Sequence, residues 1–348
     1  MLHIPHSRPT FSQSFQDAVQ AIVVSGQLAQ GETTKTLEHD IKPLLNLNNV
    51  LAIDSGTSAL MLAIRALTNN KIGARIGIST YACASLLFAV KAAGATPVFM
   101  DCTVDLTLDA EQAHNTAKTL DVLVLVHPFG MIEPLVTDVF PCPVIEDIAQ
   151  SAGATLHDKP VGSFTDVCIG SHYATKPWGG AYGGFIASQN SGYIHTCQTM
   201  INPDSANLSS EYVGHHQLSN IHAALATQRL QSAQEDSKRR QHWAQKYDVL
   251  LANTTATPIQ SCADSSSNAF RYIVRCEQDA GQVIANFRQL GIAANRPVQQ
   301  CLHHSQPNLS CPQAEQAWQS CVSIPLLADM NDAEWALMQQ GIQTCFHS

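Results

Sequence analysis

Charge is scarce in this chain. Of its 348 residues only 14% are Asp, Glu, Lys or Arg, and the formal net charge is -9. A negative balance excludes a general attraction to nucleic acid or to an anionic membrane. Low charge density also leaves surface that a second subunit can cover. No run of 18 apolar residues occurs, which excludes a membrane-spanning helix. Met1 to Thr10 lack the basic-then-apolar layout of a secretory signal. The eleven cysteines contain no CxxC pair and the fifteen histidines no HExxH, so the common zinc and redox spacings are missing. The cysteine count is odd, and Cys102, Cys168 and Cys276 lie in apolar stretches. They read as reduced small hydrophobes of a cytoplasmic protein. His303 and His304 are adjacent, so their rings do not share a helical face and no metal is expected there. Lys238-Arg239-Arg240 reads as a solvated helix face. No GxGxxG follows the first strand, which sets aside a dinucleotide-binding dehydrogenase.

What is present has the alternation of an α/β protein. The length suits two domains or one large domain with an appendage. Phe15, Val19, Ile22 and Val23 have helical spacing, stopped by Gly26. A second helix is predicted over 34–45, with Pro43 ending or kinking it. Strands are predicted at 50–53, 75–79, 97–100, 121–126 and 144–146, separated by helical stretches. That pattern gives a mostly parallel sheet with helices on both faces. Ligands of such sheets sit at the carboxyl ends of the strands. Gly56, Tyr81, His127 and Asp147 all fall at such ends and are expected to share a crevice. A polar stretch to about Tyr212 is unreadable, and a long helix follows over 219–251. A linker, a strand at 270–276, a helix at 280–290, a strand at 321–325 and a helix from Asp332 make a smaller α+β unit. The division is drawn at 1–245 and 246–348.

Two segments carry chemistry. Val167 to Gly170 and Gly183 to Ala187 are apolar runs flanking Ser171-His172-Tyr173-Ala174-Thr175-Lys176, which places one lysine at the end of a buried strand. A desolvated lysine is a neutral amine nucleophile able to condense with an aldehyde. Val144-Ile145-Glu146-Asp147 places an acid at another strand end. A reactive lysine with an acid that can face a pyridinium nitrogen is what pyridoxal 5'-phosphate (PLP) demands. A strand-end lysine is also a common surface cap, so the pair decides nothing alone. At Ser55-Gly56-Thr57-Ser58, a strand runs through small residues into a helix. That junction offers free N–H groups and a helix dipole to an anion, or is simply an N-cap.

These segments, in this order, resemble the sugar aminotransferases of the DegT/DnrJ/EryC1/StrS group. The resembling stretches are Ser55 to Leu60, Gly94 to Asp101, Ile145 to Gln150, Ser171 to Lys176 with Gly183-Gly184, Leu218 to Ala224 and Ser323 to Leu326. Ser25-Gly26 to Glu38 resembles the family's opening. The resemblance implies the PLP-dependent transferase fold of aspartate-aminotransferase type I, a seven-stranded-type sheet with a smaller C-terminal domain. It implies that Lys176 holds the PLP aldehyde and then moves the proton, and that Asp147 pairs with the ring nitrogen. It assigns Thr57, Ser58 and Ser171, at the Gly56 turn, to the phosphate, and Gln150 to the ring or its 3-hydroxyl. It implies a cytoplasmic homodimer that moves an amino group, from glutamate, to a keto sugar linked to a nucleotide, in surface polysaccharide or amino-sugar biosynthesis.

Four positions depart from the family pattern. Cys83 stands where an aromatic residue stacks on the cofactor, and Tyr182 where an acid precedes the glycine pair. His215 replaces an asparagine that reaches a neighbouring subunit's phosphate, and Gln217 replaces an arginine. Two alternatives follow: a PLP sugar enzyme of another reaction, such as a dehydratase, or a catalytically silent member. Related dehydratases carry histidine in place of the lysine, so Lys176 counts against the first.

Overall fold

Short, wholly apolar strands need cover on both faces, and here helices supply it. In the computed structural model, which describes residues 3–306 and 308–346, two helices open the chain: α1 (Gln13–Ser25) and α2 (Glu32–Leu45). Alternation follows through β1 (Asn49–Ile53), α3 (Gly56–Leu67), β2 (Arg75–Ser79), α4 (Ala84–Ala92), β3 (Thr96–Met100), α5 (Ala110–Ala117), β4 (Val122–Val126) and β5 (Val144–Asp147). Two short strands, β6 (Thr155–Leu156) and β7 (Lys159–Pro160), precede β8 (Val167–Ser171), β9 (Gly184–Ser188), α6 (Ser191–Thr199) and the 32-residue α7 (Asn220–Leu251). The remainder is β10 (Thr257–Pro258), β11 (Ser265–Ser266), β12 (Tyr272–Arg275), α8 (Ala280–Gln289), α9 (Pro312–Ser320), β13 (Cys321–Ile324) and α10 (Asp332–Phe346).

Seven strands form the main sheet in the order β1-β9-β8-β5-β4-β2-β3. All run parallel except β9, which is antiparallel to both its neighbours. Side chains alternate across the sheet. On one face Ala52, Leu123, Leu125 and Ala187 pack with Leu37 and Ile41 of α2 and with Ala223 and Ala226 of α7. On the other, Ile53, Val124, Ile145 and Ile186 pack with Leu60 and Ile64 of α3 and Val90 of α4.

A second sheet, β10-β12-β13, builds a separate core with Phe287 of α8 and Met338, Ile342 and Phe346 of α10. Helix α7 reaches both cores, with Ala233 in the first and Tyr247 and Leu251 in the second. The division drawn at 245/246 therefore falls inside a continuous helix. Ile4, near the amino end, is buried in the small core and exchanges backbone hydrogen bonds with Gly291 and Ala293 at 2.9 Å each.

Other local expectations shift. Pro43 lies inside the last turn of α2, which continues to Leu45 and closes on Asn46 in the left-handed region. Helices α5, α6 and α9 form where no helix was read. Tyr81 and His127 turn away from the crevice. Tyr81 is buried among Phe129, Cys301 and Cys321, and His127 donates to Glu146 at 2.9 Å on the opposite face. No helix among the described residues is long and apolar enough to cross a membrane.

Candidate active site

Strand β8 ends at Ser171 and β9 begins at Gly184, and because β9 runs backwards both ends meet at one edge. Lys176 is thus carried on the loop between them, five residues past the end of β8. The loop is tied internally: His172 N–H donates to Gly183 O, Ala174 N–H to Ala181 O and Gly179 N–H to Lys176 O, at 2.8, 2.9 and 2.9 Å. The buried His172 ring donates from Nδ1 to Trp178 O at 2.7 Å. Burial holds that imidazole down to about 4, so it stays neutral. This pin was not visible in the sequence. Trp178 itself is buried against Phe185 and does not face the crevice.

The carboxyl ends of β5 and β8 and the start of α3 enclose a cavity of about 510 Å³. Lys176, Asp147, Gly56, Thr57, Cys83, Gln150 and Ser171 all line it. Ser58 does not. Its N–H and hydroxyl are used by the N-cap, Ser55, at 3.1 and 2.9 Å. His215 is exposed and lies outside the cavity wall. Its neighbour His216 is the histidine tied into the structure, bonded to Tyr212 at 2.8 Å and to Asp54 at 3.2 Å. The wall also takes Tyr173, Phe270, Arg271 and the 297–300 segment, which the sequence reading did not assign to a site.

The Lys176 amine makes no hydrogen bond among the described residues and lies 5.3 Å from the Phe270 ring centroid. Burial lowers its proton affinity, opposed by Cys83 and Asp147 and reinforced by Arg271. The Asp147 carboxyl is pushed up by burial. It accepts one hydrogen bond, from Ala149 N–H at 2.9 Å, which together with Lys176 and His127 limits that rise. Gln150 Oε1 accepts Phe129 N–H at 2.9 Å. Helix α3 opens at Gly56, and the N–H groups of its first turn have no intrahelical acceptor. The approach of backbone is close there. A Cβ on Gly184 would stand 2.6 Å from Gly56 N, and one on Gly56 would stand 3.0 Å from Ser171 Cβ.

Two expectations about charged clusters change. Lys238 and Arg239 are exposed, but Arg240 turns inward, with Nε and Nη2 sealed from solvent. His303 and His304, although adjacent, converge: their Nε2 atoms reach Glu315 Oε1 at 3.0 and 2.5 Å, with Cys301 nearby. A 3-10 turn over 302–305 brings the two rings together where an α-helix would splay them.

A parallel sheet wound with one reversed strand, a lysine loop at its crevice and a small second sheet define an α/β aminotransferase. The chain belongs to the DegT/DnrJ/EryC1/StrS aminotransferase family, whose pattern matches residues 9–342. Among solved structures it is similar to the aminotransferase TlmJ from Streptoalloteichus hindustanus, with TM-score 0.91, 20% identity and 98% of each chain covered. It is also similar to a protein described as a sugar aminotransferase, Spr1654 from Streptococcus pneumoniae, in its PLP form (TM-score 0.90, 20% identity, 99% of this chain and 98% of that one). The sugar aminotransferase CalS13 from Micromonospora echinospora follows at TM-score 0.84 and 18% identity, covering 98% and 99%.

Proposed function

We propose that the protein is a PLP-dependent sugar aminotransferase. One observation carries this: among the described residues, an amine without a hydrogen-bond partner, a carboxylate with one hydrogen bond and the open first turn of a helix face a single 510 Å³ cavity. The residues fit the cofactor. Gly56 and Ser171 line the cavity with little space between them, a Cβ on Gly56 standing 3.0 Å from Ser171 Cβ, and Asp147 lines the same cavity, where it would supply the counter-charge that a pyridinium nitrogen needs. When bound, PLP supplies the electron sink that aminotransfer needs.

The protein's own groups do the rest. Because burial disfavours its charged form, Lys176 would meet the cofactor's aldehyde as a neutral amine, and the same neutral Nζ could then accept a proton and hand it on. Asp147 holds the ring nitrogen, and the added positive charge keeps its carboxyl ionised against burial. The Gly56 and Thr57 N–H groups, with Ser171, would take the phosphate, while Ser58, engaged by Ser55, closes the cap behind them. Gln150 and Cys83 line the same cavity and would lie against the cofactor's ring. Exposed His215 is free to serve a second subunit's site in a homodimer. The donor is glutamate, and the acceptor is a keto sugar carried on a nucleotide, within a cytoplasmic amino-sugar or polysaccharide pathway. A cavity of this size holds a sugar beside a flat ring.

The test is spectroscopic first. Purified protein given PLP should show a visible absorption band that Lys176→Ala abolishes. Glutamate should bleach the band, and mass spectrometry should find an amine where a keto sugar was supplied. A protein that stays colourless with PLP overturns the reading.

A further inference from the structure

A second, small cavity of about 50 Å³ lies against the first, and Lys176, Thr175, Phe270 and Arg271 line both. Its charge is lopsided. Arg229 is fully engaged by Asp236 at 2.8 Å, Gly179 O at 3.0 Å and Thr10 O at 2.5 Å. Arg8, also on the wall, is paired with Asp329 and Glu334. Among the described residues Arg271 has only neutral hydrogen-bond partners, His6 and Ser7. Arg240 has no hydrogen-bond partner among the described residues, and two of its nitrogens are buried. A buried guanidinium with unmade hydrogen bonds is among the least favourable arrangements in a protein interior. It persists where a counter-charge completes it. The space is more than one water needs and far less than a sugar or a nucleotide needs.

We propose that Arg240 and Arg271 bind a small anion of carboxylate size in this cavity, beside Lys176. Guanidinium groups favour planar carboxylates, which take two parallel N–H bonds. Two sources share that chemistry: a free anion such as formate, or the carboxylate of the amino donor reaching past Lys176. The site itself stands on Arg240 and does not rest on the aminotransferase reading. Only the donor source does.

The experiment uses the full chain without added PLP. Thermal stability is followed with sodium formate or bromide replacing sodium gluconate at constant ionic strength. Wild type should gain a saturable rise in Tm that Arg240→Met lacks and Arg240→Lys keeps in part. In gluconate, Arg240→Met should melt at or above wild type, since it removes a buried guanidinium with unmade hydrogen bonds whose nearby counter-charge, Asp236, is already bonded to Arg229. Crystals soaked in bromide should show anomalous density between Arg240 and Arg271. An Arg240→Met response equal to wild type, or bromide density absent from this cavity, overturns the proposal, and the second result does not depend on any variant folding. With PLP present, formate that raises the KM for glutamate several-fold identifies the donor carboxylate as the occupant. An unchanged KM identifies a free anion.

Discussion

Glu146 and Asp147 stand side by side at the end of β5 and do opposite work. The period of a strand sends them to opposite faces of the sheet. Glu146 is buried and saturated. It accepts from His127 Nε2 at 2.9 Å, from Gly162 N–H at 2.5 Å and from Phe164 N–H at 3.1 Å. His127 is set as the Nε2 donor because its Nδ1 accepts Glu133 N–H at 3.0 Å. Asp147 faces the cavity with one hydrogen bond. In sequence they are two acids in a row. What separates them is how many of their lone pairs the protein itself uses. A saturated carboxylate organises backbone, and one left mostly open is built for something that arrives.

The comparison can be broken most directly by exchanging what each acid is asked to do. Asp147→Asn should lower turnover by about 10²–10⁴-fold, the scale of a lost acid–base function, while the fold survives. Glu146→Ala should act on stability, costing about 3–5 kcal/mol because it strands His127 and two N–H groups. Urea denaturation of both variants checks this. Equal destabilisation by the two would end the distinction between them.

The pH dependence should separate them next. Without cofactor, burial raises the Asp147 carboxyl above its ordinary 3.8. The folded protein then binds that proton more tightly than the unfolded chain, so stability falls as pH rises through the raised value. Asp147→Asn should therefore be more stable than wild type at neutral pH, with the gap closing as pH falls towards 3.8. His6 has the opposite sign. Burial, with the nearby Arg271, lowers it from 6.5 to about 3, so it contributes stability above 6.5 that is lost on acidification towards 3. His6→Gln should flatten that acid limb in a Tm-against-pH series.

The smallest effect expected is at Cys83, the one cysteine of the eleven that is exposed. Cys83→Tyr restores a ring where the family stacks one and should tighten PLP binding by up to about 1.5 kcal/mol. Equilibrium dialysis would show it. Thiol labelling of wild type at Cys83 should slow when PLP is bound.

Much of this was legible in the sequence. Strands β1 to β5 and the start of α3 announce themselves because each strand has a mostly buried apolar run and the residues at the β1–α3 junction are small. What stayed hidden depends on partners far along the chain. Helix α6 buries only Ile194 and Cys197, too little for a readable stripe. The reversal of β9 could not be read, since an apolar run carries no sign of pairing direction. Arg240 looked like its exposed neighbours Lys238 and Arg239, because one helix sends consecutive residues about 100° apart and only tertiary packing decides which is covered. Ser58 was read with Thr57 as a hydroxyl donor, yet Ser55 draws it into the cap.

Helix α7 has one further consequence. At about 1.5 Å per residue it is a rod of about 48 Å, with its early turns anchored under the seven-stranded sheet and Tyr247 and Leu251 anchored in the small core. Melting either core frays an end of the same rod and loosens the other. The protein should therefore denature as one cooperative unit, and calorimetry should record a single peak from a molecule that has two hydrophobic centres.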